Sequence, residues 1–492
     1  MPGRVETAGH NRHNTAQRAF LFGTISEFGH VALTYIRWAL IVGACIVVVA
    51  LLWPTETGSP EERAALAEGR VIITYWDRHT GHEFEERKAL MDEFNRSQDE
   101  VYIRALPVGF TMEKLLTSIA GKTPPDILST EGSILAALAS QHCVMPLDDF
   151  IETSAAINPE DYFPHVWNAV AFDGHVWGIP ITTDTICLLW NKSAFRRAGL
   201  DPDRPPETMD EFLEYAAKLT VRDESGLRQI GFLPWLPWEH THMWGGLFGG
   251  RWYDPETERF VCGDDPNIIA MFRWMQSFSI GRDTDTAAPY AMNPEAIAAF
   301  RTGFGAYQSA NNPFYSGRVA MTQEGEWQVS FIPRYAPELD WGVAPLPQPE
   351  GAPPRSYSPT CVLDMIPANA PNPEAAWKYI EWFNSPRPGG RPSPASDYSR
   401  AISNIPCRKH EAMHERFMDD PKFRVFIEEL LTKEPIVYPV TPVAQFFLDE
   451  VARQRELVVL HRKTPEQAAR DIEDNANAEW DRIRALMERR AS

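Results

Sequence analysis

Basic residues are in short supply: 47 Lys and Arg stand against 67 Asp and Glu, a formal charge of -20 with histidine neutral. A surface of that sign repels polyanions, which excludes nucleic acid as a partner. Cysteine is scarce as well, six in 492 residues with no CxxC pair. That is too few for a disulfide scaffold, so free thiols are expected. The chain also lacks GxGxxG after a strand, GxxxxGK[ST], HExxH and GxSxG. Nucleotide, zinc-protease and serine-hydrolase chemistry are therefore without their mechanical parts, and no cofactor is expected. What is present is a globular balance, 44% hydrophobic and 23% charged, at a length that suits two or three domains.

One long apolar run exists. Residues 38–53, WALIVGACIVVVALLW, carry no charge, with Arg37 before them and Pro54 after. A spanning helix takes roughly 17 to 25 residues, so this run sits at the lower limit. Arg4, Arg12, Arg18 and Arg37 precede it while Glu56, Glu61 and Glu62 follow, which orients the amino terminus to the cytoplasm and everything after Trp53 outside it. No small-x-small cleavage pattern closes the run, so an uncleaved anchor is expected over a signal peptide. Val42-Gly43-Ala44-Cys45 has the look of a lipobox, but most of the apolar run follows Cys45. The expected layout is a cytoplasmic leader at 1–37, a transmembrane anchor at 38–53 and a polar tether at 54–69.

From Arg70 the pattern alternates. VIITYW (71–76), VYIRALPV (101–108) and DIL (126–128) read as strands, with helical spacing between them at Leu90, Met91 and Phe94 and again from Met112 to Ala120. Such alternation predicts parallel strands with crossover helices. A second block opens with VWGIPI and the strand TICLLWN (185–191); Thr208 and Glu211 then form a capping box ahead of Phe212, Tyr215 and Ala216. Helices are predicted from Asn267 to Phe278, Pro294 to Arg301 and Pro373 to Phe383, the last capped by Asn372. PRPGGRPSPASDYS (386–399) reads as a loop or hinge. The end is helical, from Thr441 to Val459 and then from a cap at Thr464, Pro465 and Gln467.

Candidate chemistry is thin apart from aromatics. Glu324 and Glu326 flank a glycine, but carboxylates at that spacing are usually a solvated edge, and pattern alone does not supply a glycosidase separation. His240-Thr241-His242 beside Glu239 is a weak metal signal, more often loop polarity. The sixteen tryptophans are more telling, because Trp235, Trp238 and Trp244 crowd the Pro- and Gly-rich segment LPWLPWEHTHMWGGLFGG. An indole is a core anchor by default. In an irregular segment it is equally a platform on which the apolar face of a sugar stacks while polar neighbours bond the hydroxyls.

Taken in order, ITYWDRHTG (73–81), PPDIL (124–128), MPLDDFI (145–151), DGHVWGIPITTDTICLLWNKSAFRRAGLDP (173–202), PPETMDEF (205–212), GRVAMTQEGEW (317–327), GVAPLP (342–347), NPEAAWKYIEWF (372–383) and NIPCRK (404–409) resemble the extracytoplasmic solute-binding proteins of ABC importers, in the sugar-binding group that includes maltose- and glycerol-phosphate-binding proteins. The resemblance covers nearly all of residues 70–490. Met209 departs from the family's PPxTW, at a packing position.

The resemblance implies an α/β, two-lobed periplasmic-binding-protein clamp with a ligand cleft between discontinuous lobes: 70–181 and 345–398 as lobe 1, 185–342 and 403–492 as lobe 2. It implies capture of a carbohydrate and delivery to ABC importer permease subunits by cleft closure, outside the cytoplasmic membrane, by a monomer that is not an enzyme. A sugar-sensing ectodomain and a glycan-cleaving enzyme are the rival readings. Carried onto this sequence, the ligand contacts it implies are Trp327 in EGEW, Asp184 after GIPITT, Asp77 and Arg78 after the first strand, Thr130 and Glu131 after PDIL, Trp238, Glu239 and Trp244 from the second lobe, and Phe446 after TPVAQ. The ordinary alternatives are that Asp184 caps a helix and that Phe446 packs the last helices.

Overall fold

The structure is a computed structural model that describes residues 41–43, 58–109, 111–224, 226–281, 287–305 and 309–491. The chain divides into two compact units, Met1–Ala64 and Ala65–Ser492. In the first, residues 41–43 are helical; the rest of the expected anchor and the leader lie outside the described residues. Among the described residues no helix is long and apolar enough to cross a membrane.

The second unit is built on two main sheets, beside four two-stranded ribbons among the described residues. The strands of the main sheets are β1 (Val71–Asp77), β2 (Val101–Pro107), β3 (Ile127–Glu131), β4 (Ile179–Thr183), β5 (Ile186–Asn191), β6 (Met321–Gly325), β7 (Trp341–Ala344), β8 (Cys361–Met365) and β9 (Ile405–Pro406). The large sheet runs in the order β9-β4-β8-β3-β1-β2. Its β1 pairs parallel with both β2 and β3, as the strand and helix alternation predicts, whereas β8 and β9 enter antiparallel. The small sheet, β6-β5-β7, is antiparallel throughout.

Two hydrophobic cores accompany these sheets. Ile73, Tyr75, Ile127, Leu363, Tyr379 and Phe426 belong to the first; Phe212, Trp244, Met271, Phe447 and Ile472 belong to the second. Strand β5 serves both, with Ile186, Leu188 and Trp190 on the second core and Cys187 and Leu189 on the first. A strand buried on both faces has no polar alternation, which is why ICLLW reads as one apolar run. Trp327 packs against both cores, at their seam.

Local signals explain several elements. Thr208 accepts from the Glu211 N–H at 3.2 Å while Glu211 accepts from the Glu207 N–H at 3.0 Å, and Thr464 and Gln467 bond reciprocally at 3.2 Å. Both capping boxes are thus in place. The helix expected from Asn267 runs Pro266–Gln276, capped by Asp265.

Other expectations are corrected. Asn372 does not cap Pro373–Asn384 with its side chain, because its amide donates to Asp126 at 3.0 Å instead. Within the expected loop at 386–399 a helix, Pro394–Ile402, begins where the Ser393 hydroxyl accepts from the Ser396 N–H at 3.1 Å. Residues 405–406 join the large sheet beside β4, and Phe417, Phe423, Phe426, Ile427 and Leu430 fill the first core. The apolar face of the helix Pro421–Thr432 is buried against β7 and the first core, and the second core resumes at Ile436.

Candidate functional site

A cavity of about 620 Å³ opens where several strands end and the two cores meet. Strand β1 delivers Arg78, His79 and Thr80 just before the helix α1 (Gly81–Ser97), and β3 delivers Glu131 at its last position. Asp184 comes from the two-residue crossing between β4 and β5, Trp327 follows β6, Asn404 precedes β9, and Trp238, Glu239 and His240 come from the segment before a short helix, α2 (Thr241–Leu247). Sites at strand carboxyl ends are the expected place for ligands in α/β folds.

Of the residues expected from sequence, Arg78, Glu131, Asp184, Trp238, Glu239 and Trp327 line this cavity. Four do not. Asp77 is fully buried beneath it, accepting from the His79 N–H at 2.9 Å, and so orients the loop without reaching the cavity. Thr130 is 2% exposed and sits mid-strand opposite Leu363 of β8. Trp244 is wholly buried, its indole N–H donating to Gln323 at 2.7 Å, and packs near Phe212, Phe232 and Trp274. It is a core anchor, the default for an indole. Phe446 is 40% exposed and lines none of the three cavities described here.

The placement of Trp327 has a local cause. A Cβ on Gly325 would come within 2.1 Å of the Trp327 ring, so the glycine of EGEW leaves the space in which the indole folds back on the end of β6. The Trp238 N–H donates to the buried Glu324 carboxylate at 3.0 Å. Burial pushes Glu324 up to about 7, against the lowering effect of that indole bond.

The polar lining falls into satisfied and unsatisfied groups. Arg78 bonds Glu131, and its guanidinium also lies 3.3 Å from the His79 ring. Glu239 accepts from the Arg455 guanidinium, from the Thr241 N–H at 3.2 Å and from the Thr241 hydroxyl. Asp184 and Glu326 differ. The single amide of Asn404 donates to Asp184 and reaches Glu326 at 3.4 Å, and the Thr185 N–H donates to Glu326 at 3.0 Å. Burial raises both carboxyls, and the charge of Asp184 pushes Glu326 further up. His240 is 7% exposed, and neither ring nitrogen has a hydrogen-bond partner. Burial holds it neutral, with its pKa lowered to about 3.

His79, His240, Asn404, Tyr438 and the Pro359–Val362 segment line the cavity without being among the ligand contacts expected from sequence. For His240 a signal existed, the HTH beside Glu239. Among the described residues no cluster of three or more His, Cys, Asp or Glu could hold a metal ion. A smaller cavity of about 230 Å³ shares Glu131, Glu239 and Tyr438 with this one, and a larger one of about 740 Å³, lined by Arg251, Trp252 and Trp480, shares Tyr438.

Two sheets, two cores and a polar, aromatic-lined cavity at strand ends define a ligand-binding α/β protein. The sequence profile of the family described as bacterial extracellular solute-binding protein matches residues 82–389, more than half of the chain, and the chain belongs to that family. Relatives include the sn-glycerol-3-phosphate-binding periplasmic protein UgpB of Pectobacterium atrosepticum, 22% identical over 84% of this chain and 92% of its own. Among solved structures, CpMnBP1 with mannotriose bound superposes with a TM-score of 0.71 at 27% identity, covering 83% of this chain and all of that one. The sugar-binding protein MalE of Xanthomonas citri gives a TM-score of 0.67 at 20% identity, over 85% of this chain and 99% of its own.

Proposed function

We propose that the protein captures a carbohydrate outside the cytoplasm and hands it to the permease of an ABC importer. The observation that carries this reading is the cavity itself: Trp327 at the seam of the two cores, Trp238 beside it, and Arg78, Glu131, Asp184 and Asn404 around them. Aromatic faces with convergent hydrogen-bonding groups are what a pyranose needs. The family and the mannotriose-bound relative agree with it.

The two cores act as jaws on either side of the β4–β5 and β6 connections, and ligand contacts from both sides bias them toward closure. The protein performs no bond cleavage in this reading and returns its sugar unchanged. Residues 38–53 tether it to the membrane, as a monomer.

Calorimetric titration of the full chain with mannotriose and maltotriose tests the reading, followed by chromatography of the recovered sugar. A binder whose affinity falls at least tenfold, about 1.4 kcal/mol, in Trp327→Ala is expected. Shortened sugar in the recovered fraction replaces capture with hydrolysis. Release of the full chain from membranes by carbonate wash overturns the tether alone.

A further inference from the structure

The cavity is more acidic than a neutral sugar requires. Its charged lining is Arg78, Glu83, Glu131, Asp184 and Glu239, with Glu326 directly behind Asp184. The one arginine is already engaged by Glu131, and Glu239 already has Arg455 from outside the cavity. Asp184 and Glu326 are left with no ion pair among the described residues: the Asn404 amide serves both, and the Thr185 N–H serves Glu326. Two carboxylates in contact, served only by the neutral Asn404 amide and Thr185 N–H, cannot both carry charge without a counterion. Asp184 is half-buried and faces the cavity, so a ligand can supply that counterion.

A second observation points the same way. His240 lies in the same cavity with both ring nitrogens unpartnered, so it too awaits a group from the ligand. Being neutral it offers one N–H donor and one lone pair, and it does not compete as a cation. The two half-buried indoles, Trp238 and Trp327, present ring faces that attract positive charge.

We propose that the carbohydrate taken by this cavity carries a protonated amine, bound at Asp184 with Glu326 behind it and the tryptophan faces beside it. The proposal rests on the capture reading and names its substrate class. It sets this chain apart from relatives named for a phosphate ester: an anion would face the carboxylate pair while the cavity's only arginine is committed elsewhere.

Three β-1,4 disaccharides that differ only at carbon 2 make the test: the glucosamine dimer bearing ammonium groups, the N-acetylglucosamine dimer, and cellobiose. Each is titrated calorimetrically into the full chain at pH 7, beside mannotriose and sn-glycerol-3-phosphate. The amine is expected to bind at least tenfold more tightly than the other two disaccharides, and sn-glycerol-3-phosphate not to bind. Asp184→Asn should reduce the amine preference to threefold or less. Glu326→Gln repeats the test should Asp184→Asn unfold, with circular dichroism and a thermal melt run on both. Equal or tighter binding of cellobiose, the N-acetylated dimer or mannotriose overturns the amine while capture stands. Tight binding of sn-glycerol-3-phosphate with no sugar response overturns both.

Discussion

Two pairs of carboxylates lie inside this protein, and their surroundings differ in one respect. In the first core Asp77 and Asp364 share Arg87, which is fully buried, donates to Asp364 at 2.6 Å and has its Nε 3.9 Å from Asp77. Its guanidinium lies 4.9 Å from the Tyr75 ring centre, 4.8 Å from Phe383 and 5.3 Å from Tyr398. At the cavity Asp184 and Glu326 share Asn404, which brings no charge. The first pair has its counter-charge from the chain and is closed to solvent; it lies beneath the end of β1. The second is incomplete and open on one side. The same residue types thus build a fixed support in one place and a ligand-dependent contact in the other, and the deciding feature is whether the cation comes from the chain.

The largest test of that contrast removes the internal cation. Arg87→Met leaves Asp77 and Asp364 buried without a counter-charge, and a buried pair broken this way costs about 3–5 kcal/mol. Urea unfolding at pH 7 checks it. A loss below about 1 kcal/mol would erase the difference between the two pairs.

The next effect is one of pH. Glu324, 1% exposed, has its carboxyl raised from the ordinary range to about 7 by burial, so its contribution to stability is present below pH 4.5 and lost as pH rises through 7. His240 and His242 run the other way: burial lowers both to about 3, so their contribution is present above pH 6.5 and lost as pH falls toward 3. Glu324→Gln keeps an acceptor for the Trp238 indole and removes the ionisation. It should be more stable than the parent at pH 8 by up to about 3 kcal/mol, at roughly 1.4 kcal/mol per pH unit, and equal to it at pH 4. Chemical unfolding across pH 4–8 measures the difference, and a parallel profile for the two proteins removes the site's neutral buried groups from the comparison.

A smaller change in stability separates the second pair from the first. Asp184→Asn takes away one charge that forms no ion pair among the described residues, so the cost should stay within about 1 kcal/mol while ligand affinity falls. The two readouts are urea unfolding and calorimetry on the same sample. Destabilisation on the scale of Arg87→Met would make Asp184 a structural support like Asp77.

Much of this arrangement was readable before the fold was seen. The run TICLLWN announced a strand, and S/T-x-x-E/Q spacings marked two helix starts, because both signals are local. Trp327 and Asp184 could be placed by the motifs around them. What could not be read is pairing at a distance: Asn404 meets Asp184 across 220 positions, and Arg87 meets Asp364 across 277. Trp244 was drawn toward the site by its Pro- and Gly-rich neighbourhood, yet residues 241–247 form a helix whose glycines admit the Trp252 and Ile436 side chains at close range, and the helix buries it. Strand β9 is only two residues long, too short to show a period of its own.

Phe446 gives the smallest expected effect and the sharpest limit on the cavity. It lies on the helix Ala444–Val459, 40% exposed, while its neighbour Gln445 lines the 230 Å³ cavity that continues from the site past Glu131, Glu239 and Tyr438. A side chain that exposed has little burial to lose, so Phe446→Ala should change stability by less than about 0.5 kcal/mol. It should also leave the affinity for any disaccharide unchanged, since nothing of it faces the 620 Å³ cavity. Longer sugars are the informative probes. If affinity for a trisaccharide falls in Phe446→Ala while that for its disaccharide holds, the ligand runs from the Asp184 end through the small cavity to α-helical residues 445–446, and the working site is the two cavities together.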